Sequence, residues 1–180
     1  MLSTESKNSE MPVQWFAARV RKGQELAIRN ALVKLGVDCY LPTKVETRQL
    51  KYRKKKVEIP LIKNIIFVHA PKKEACDLHN VYGIQLFYMK GLGSNTMLVV
   101  PDRQMDDFIF VTNMAPDAVS ISEDMHLAVG QKVKIMKGDL SGIEGVLTTI
   151  ENNTYVSLCI EGVLTATVRV PKSYLKIIEK

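Results

Sequence analysis

The sequence has few cysteines and no long apolar run. Its three cysteines, Cys39, Cys76 and Cys159, stand far apart and form no CxxC pair, which favours reduced thiols over a disulfide framework. No stretch approaches the roughly 18 consecutive apolar residues of a membrane-spanning helix. The polar first residues also lack the apolar core of a signal peptide. We therefore expect a cytoplasmic protein whose residues 1–12 form a disordered tail.

The chain also lacks the motifs of common enzyme classes. The glycines at positions 91 and 93 are followed by Thr96, where a dinucleotide-binding loop needs a third glycine. The serine within Gly138–Gly142 stands one place too late for the nucleophile of a GxSxG turn. The three histidines lie on unrelated segments, without cysteines at zinc spacing. We expect no catalytic residues, no metal and no cofactor.

What the chain does have is an uneven basic surplus. Residues 19–63 carry 13 Lys and Arg against 4 Asp and Glu, whereas residues 114–180 carry 7 against 8. A basic region on a near-neutral remainder favours nucleic acids or acidic protein surfaces as partners. The densest basic run comprises Lys51, Arg53, Lys54, Lys55 and Lys56. Two interpretations remain open for it, namely solvation of an exposed hairpin edge and binding of nucleic acid phosphates.

The apolar periodicity of the first part predicts an α+β fold with helices packed on a mostly antiparallel sheet. The first helix starts near Gly23, has an apolar stripe of Ile28, Ala31, Leu32 and Leu35, and ends at Gly36. A second helix is predicted over Lys72–Asn80, and a third is predicted to be capped by Asp102. The predicted strands are Trp15–Val20, Val37–Leu41, a hairpin over Val45–Ile59, Ile65–Val68, Gln85–Met89 and Met97–Val100.

The second part has a different character. The apolar periodicity lapses over residues 114–126, which predicts a linker between a first domain at 13–113 and a second at 127–180. Beyond the linker, five short β-branched runs at close spacing predict a small β-barrel. These runs are Lys132–Met136, Ile143–Ile150, Tyr155–Ile160, Ala166–Val170 and Tyr174–Ile178, with Asn152 and Asn153 as a predicted hairpin turn.

A glycine-rich segment opens this second domain. Glycines at positions 138, 142 and 145 stand between two strand patterns and permit a tight loop. The segment Val133–Val146 resembles the KOW motif of SH3-like barrels in transcription and ribosomal proteins. An ordinary glycine-rich hairpin is the alternative. The resemblance implies a KOW loop composed of Gly138, Asp139, Leu140, Gly142 and Gly145.

Four segments of the first domain resemble the N-terminal domain of the NusG family. They occur in the family's order and comprise Trp15-Phe16, Arg21–Glu25, Tyr40–Pro42 and Pro60–Val68. Together with the KOW motif they span most of the chain. The resemblance implies a monomeric transcription elongation factor that docks on the clamp helices of the largest RNA polymerase subunit and suppresses pausing. The matching docking positions are Phe16, Arg19, Ile65, Phe67 and Val68, and the positions facing upstream or non-template DNA are Arg21 and Lys22.

The chain departs from the family pattern at two places. It has Lys63-Asn64 where general members usually have Pro-Gly, and Asp139-Leu140 where they usually have Pro-Phe. Both departures resemble specialised paralogues that serve selected operons, and they put contacts with the ribosome or the Rho termination factor in question. The alternative function is that of a KOW-type RNA-binding or ribosome-associated protein, with the basic run as its RNA contact.

Overall fold

The computed structural model describes residues 11–123 and 130–179. Residues 1–10 of the predicted tail lie outside these ranges. Residues 124–126 of the predicted linker and 127–129 of the predicted second domain also lie outside them. Every strand pair in the described ranges is antiparallel. In chain order the elements are β1 (Val13–Arg19), α1 (Glu25–Lys34), β2 (Asp38–Tyr40), β3 (Thr43–Gln49), β4 (Lys54–Pro60), β5 (Ile65–Pro71), α2 (Lys72–Asn80), β6 (Phe87–Tyr88), β7 (Val99–Val100), α3 (Asp102–Met114), β8 (Val119–Ser122), β9 (Lys132–Ile135), β10 (Glu144–Ile150), β11 (Asn153–Ile160), β12 (Leu164–Arg169) and β13 (Leu175–Glu179).

The first sheet has the order β2-β5-β1-β6, and β7 also pairs with β1. Its central strands are buried on both faces because helices cover each side. The register opposes Arg19 to Ile65 and Ala17 to Phe67; opposed residues share a face of the sheet, and α3 packs on this one. We call Ala17, Arg19, Ile65 and Phe67 the α3 face. The alternate residues point to α1 and α2, and they are Phe16, Ala18, Ile66 and Val68.

The helices confirm most of the sequence prediction and correct it at two positions. Gly36 follows α1 with φ +74°, the left-handed conformation expected of a C-terminal cap. Leu35, predicted on the apolar stripe, is 43% exposed because it lies just beyond the last helical residue. The predicted cap at Asp102 is also wrong. Asp102 is the first residue of α3, Pro101 takes the capping position, and no side chain caps this helix.

The second sheet contains all five predicted strands and a sixth. Its order is β13-β9-β10-β11-β12-β8, and no pair in the described ranges closes it into a barrel. The sixth strand, β8, comes from the predicted linker and pairs with β12, so that Ile121 lies opposite Ala166. The hairpin turn is one residue earlier than predicted. Glu151 and Asn152 have positive φ, while Asn153 already pairs with Ile150. The mixed α+β class with mostly antiparallel sheets is confirmed.

Helix α3 lies between the two sheets and joins them. Its residues Met105, Phe108 and Val111 are fully buried. One continuous apolar cluster contains these residues together with Phe67 of the first sheet and Val156 of the second. Because the cluster is shared, the two parts of the chain pack as neighbours in this structure. No helix in the described ranges is long and apolar enough to cross a membrane.

Candidate functional site

The α3 face brings three of the five predicted docking residues together. Arg19 and Ile65 are direct partners across β1 and β5, and Phe67 lies two residues along β5. Ile65 and Phe67 are 0% exposed, whereas the Arg19 side chain is 45% exposed. The guanidinium of Arg19 donates a hydrogen bond of 2.6 Å to Oε2 of Glu123, just beyond β8. The α3 face thus combines an apolar surface, which is buried in this structure, with one accessible cation, Arg19, at its edge.

Phe16 and Val68, the other two predicted docking residues, lie on the opposite face. Both are buried at 1% or less among the side chains of α1 and α2. The period of two along a strand forces this result, since Phe16 alternates with Ala17 and Val68 with Phe67. A partner could reach these two residues only by displacing a helix. In this structure they belong to the core.

Aromatic packing closes the α3 face. The Phe67 ring lies 5.6 Å from the ring of Phe108, centroid to centroid, and Tyr40 meets Phe108 edge-on at 6.2 Å. The Tyr40 hydroxyl is 2.6 Å from Oγ1 of Thr112, and burial raises the pKa of Tyr40 above its usual value. These contacts hold α3 against the first sheet. Removal of the second sheet alone would still leave Phe67 under α3.

Polar contacts tie α3 and the first sheet to the second sheet at the edges of the shared core. Arg103 of α3 donates to Glu144 of β10, which also accepts from Lys134 at 3.2 Å. These donors, Lys134 first, hold the pKa of Glu144 below its usual range. Gln104 accepts a hydrogen bond of 3.2 Å from the backbone N–H of Glu161. Such exposed polar contacts contribute little individually, so the buried apolar cluster provides most of the attraction.

The predicted basic hairpin is present as the separate two-stranded sheet β3-β4. All five predicted residues, Lys51 and Arg53–Lys56, are exposed. Its base is fixed to α1, because Arg29 donates to both carboxylate oxygens of Glu58 at 2.5 and 3.0 Å. The hydrogen bonds from Arg29 and then from Thr43 lower the pKa of Glu58 to about 2. The hairpin is thus a charged arm on an anchored base.

Arg21 and Lys22, the other predicted nucleic acid contacts, form the turn between β1 and α1. Both are exposed. Gly23 allows this turn because its φ is +79°, and the N–H of Gln24 donates to the carbonyl of Arg21 at 3.0 Å. Since α1 is also the helix that holds the hairpin through Arg29, one helix connects both groups of basic residues.

A family model described as "Transcription termination factor nusG" matches residues 13–109. The matched region includes the entire first sheet, the basic hairpin and the first half of α3. This is more than half of the chain. The protein belongs to the NusG family. None of the curated proteins matches it significantly. As a NusG-family chain it is a transcription elongation or antitermination factor of the general kind that works with RNA polymerase.

The first departure from the usual NusG pattern preserves the backbone conformation. Asn64, at the position usually held by glycine, has φ +64°, a left-handed value that asparagine tolerates better than most residues. Its N–H donates to Oε1 of the buried Glu25 at 3.0 Å, and its carbonyl accepts from the N–H of Val20 at 2.9 Å. The turn before β5 is therefore retained without glycine.

The second departure lies in the predicted KOW loop. The glycines of this loop are needed for different structural reasons. Gly138 and Gly142 have φ of +81° and +98°, which bend the chain between β9 and β10. Gly145 is required for space, because a Cβ there would stand 2.6 Å from Cγ1 of Val156. Leu140 packs against the shared core, while Asp139 is exposed. Of the two residues that depart from the family pattern, the accessible one is thus a carboxylate.

Sequence reasoning missed two residues at these surfaces. Glu123 accepts a hydrogen bond from Arg19 although the two residues are 104 positions apart in the sequence, and no local sequence pattern predicts such a pair. Arg48 lies directly opposite Lys55 in the hairpin. Alternation in β3 would have identified Arg48 once the hairpin turn was placed at residues 50–53.

Proposed function

We propose that this NusG-family factor binds the clamp helices of the largest RNA polymerase subunit and suppresses pausing or termination at selected operons. The observation that carries the proposal is the α3 face, where Arg19, Ile65 and Phe67 lie together within the region that the family match covers. An apolar surface with one flanking cation suits a helical partner that presents apolar and acidic side chains. Docking there requires α3 and the second sheet to move aside, since Ile65 and Phe67 are buried.

The remaining parts fit the same role. Arg21, Lys22 and the basic hairpin would face upstream or non-template DNA, where exposed cations neutralise phosphates. We assign residues 13–113 to the polymerase-binding domain and 127–180 to a KOW SH3-like barrel, connected by residues 114–126, which include strand β8 of the second sheet. The exposed Asp139 would alter the barrel's contact with Rho or the ribosome, which is the basis for specialisation. The factor would act as a cytoplasmic monomer without enzymatic activity.

A pull-down of RNA polymerase with the full chain tests the docking face through a matched pair of variants. Arg19→Gln removes the cation, whereas Glu123→Gln removes only its partner within the chain. If Arg19 contacts polymerase, Arg19→Gln weakens capture and Glu123→Gln leaves it equal or stronger. Equal capture by both variants, with melting temperatures unchanged, would remove Arg19 from the interface. Recovery of ribosomal particles in place of polymerase would support the RNA-binding alternative.

The regulatory role is tested by transcription with cognate polymerase. We expect longer transcripts past pause and terminator sites when the factor is added, most clearly on templates that carry its own leader region. The physical reason is that the chain retains Arg19, Ile65 and Phe67 but changes the exposed loop residue at Asp139. Equal or stronger Rho-dependent termination on every template would contradict the specialised role.

A further inference from the structure

The β3-β4 hairpin extends into solvent beyond its anchored base. All residues from Thr47 to Lys56 are exposed. A hydrogen bond of 2.8 Å from the N–H of Leu50 to the carbonyl of Arg53 closes the tip. The ion pairs of the hairpin lie near its base, where Arg29 meets Glu58 and Lys44 meets Glu46 and Asp117. The outer part therefore has a defined backbone but is not packed against the rest of the chain.

The charges of this outer part are not neutralised within the chain. It carries six cations, and in the described ranges none of them forms an ion pair with a carboxylate; they are Arg48, Lys51, Arg53, Lys54, Lys55 and Lys56. Arg48 and Lys55 are direct cross-strand partners, and like charges in such positions destabilise a strand pair. Protection of a sheet edge needs lysines but not an opposed pair of cations. A bound polyanion would relieve this repulsion.

The exposed ring of Tyr52 indicates which kind of polyanion the hairpin would bind. Its side chain is 87% exposed at the tip of the hairpin, so the fold does not use the ring for packing. The Nζ of Lys51 lies 5.3 Å from the ring centroid, which places a cation beside an accessible aromatic face. In a duplex the base faces are already stacked on one another. In a single strand they are free to stack on an aromatic side chain while the phosphates meet lysine and arginine.

We propose that the tip of the β3-β4 hairpin binds a single-stranded nucleic acid, with one unstacked base on Tyr52 and phosphates on Arg48, Lys55 and their neighbours. This deepens the proposed function, on which it rests, by naming the form of nucleic acid that the basic hairpin takes. Arg48 and Tyr52 become binding residues beside the five cations predicted from sequence. The anchor between Arg29 and Glu58 positions the tip without touching the ligand.

Fluorescence anisotropy with the full chain and short oligonucleotides tests this proposal without polymerase. The probes are single-stranded DNA, RNA of the same sequence, and the DNA duplex. Tyr52→Leu should weaken single-strand binding roughly 5-fold to 150-fold, the range expected for loss of one stacked base. Tyr52→Phe should retain binding. Tyr82→Leu is the matched control, since Tyr82 is also exposed, at 59%, but follows α2 and is not part of the hairpin.

A salt titration tests the phosphate contacts separately. If Arg48 and Lys55 each neutralise one phosphate, replacing both with Gln should flatten the dependence of log affinity on log salt by about 1.4 for a single strand. The control pair is Lys72→Gln with Lys73→Gln, two exposed lysines at the start of α2. An unchanged slope in the hairpin double variant would overturn the phosphate assignment.

The outcomes separate this proposal from the docking proposal. Tighter binding of single-stranded DNA or RNA than of the duplex supports the single-strand proposal if Tyr52→Leu removes this preference. The single strand that binds more tightly, DNA or RNA, identifies the natural ligand. Equal or tighter binding of the duplex, or unchanged affinity in Tyr52→Leu, would overturn it. Such a failure leaves capture of polymerase by Arg19 and its neighbours untouched, because that pull-down does not depend on the hairpin tip.

Discussion

The guanidinium of Arg29 in α1 donates two hydrogen bonds to the carboxylate of Glu58 in β4, with N–O distances of 2.5 and 3.0 Å. Glu58 also accepts from Oγ1 of Thr43 at 2.7 Å. These contacts fix the hairpin to a helix outside its own sheet. The position of the charged tip therefore depends on an ion pair whose strength changes with pH.

Glu58→Gln should lower the free energy of unfolding at neutral pH by about 1 kcal/mol, a modest value because 38% of the carboxylate side chain is exposed. The pKa of Glu58 falls from 4.5 to about 2 on folding. The stabilisation is then fully present above about 4.5 and is lost as the pH falls towards 2. Denaturant unfolding at several pH values measures the difference. Glu74→Gln, at an exposed position on α2, is the control; an equal effect in both variants would contradict the prediction.

Asn64 should tolerate glycine but not alanine. Its φ of +64° costs an ordinary residue about 1–2 kcal/mol, a penalty that glycine avoids. Its Oδ1 is buried and has no hydrogen-bond partner in the described ranges, so removal of the side chain also removes an unsatisfied acceptor. Asn64→Gly should be near neutral in urea unfolding, whereas Asn64→Ala should be less stable by about 1 kcal/mol. Equal stability of the two variants would show that the turn is not under this constraint.

The loop glycines should differ in their sensitivity to substitution. A Cβ at position 145 would stand 2.6 Å from Cγ1 of Val156 and 2.7 Å from the carbonyl oxygen of Ser157. Because a backbone atom cannot yield without breaking the β10-β11 ladder, Gly145→Ala should cost about 3 kcal/mol. A Cβ at position 142 would have no atom within 4 Å, so the only cost of Gly142→Ala is the backbone strain at a φ of +98°. This strain should lower the free energy of unfolding by about 1 kcal/mol. Thermal unfolding of both variants checks the order, and the reverse order would refute it.

Local patterns predicted the elements of this fold far better than its long-range pairings. The helix over Lys72–Asn80 has the predicted ends, and the continuous apolar run at Ile65–Val68 is a central strand. The same run misled the site prediction. A strand buried on both faces gives no local sign of which residues point to a partner, so Val68 could not be told from Phe67. Strand β8 was missed because its alternation, Val-Ser-Ile-Ser, is only four residues long and lies in a segment that Pro116 marks as irregular.

The shared core predicts that both parts of the chain unfold together. Phe108 is 0% exposed and belongs to the apolar cluster that contains residues of both sheets. Phe108→Ala should therefore lower the free energy of unfolding by about 3–5 kcal/mol.

Two spectroscopic probes can follow the two parts during this unfolding. The fluorescence of Trp15, which stacks on His69 at 4.4 Å, reports the first sheet, and NMR signals of Tyr155 report the second. Both probes should shift to the same lower temperature in Phe108→Ala, because loss of α3 packing removes contacts from each sheet at once. The control, Ile150→Ala, alters a residue that is 39% exposed at the end of β10 and should move neither probe appreciably. A variant in which the Trp15 transition falls while the Tyr155 transition stays in place would show that the two sheets fold independently, and α3 would then belong energetically to the first sheet alone.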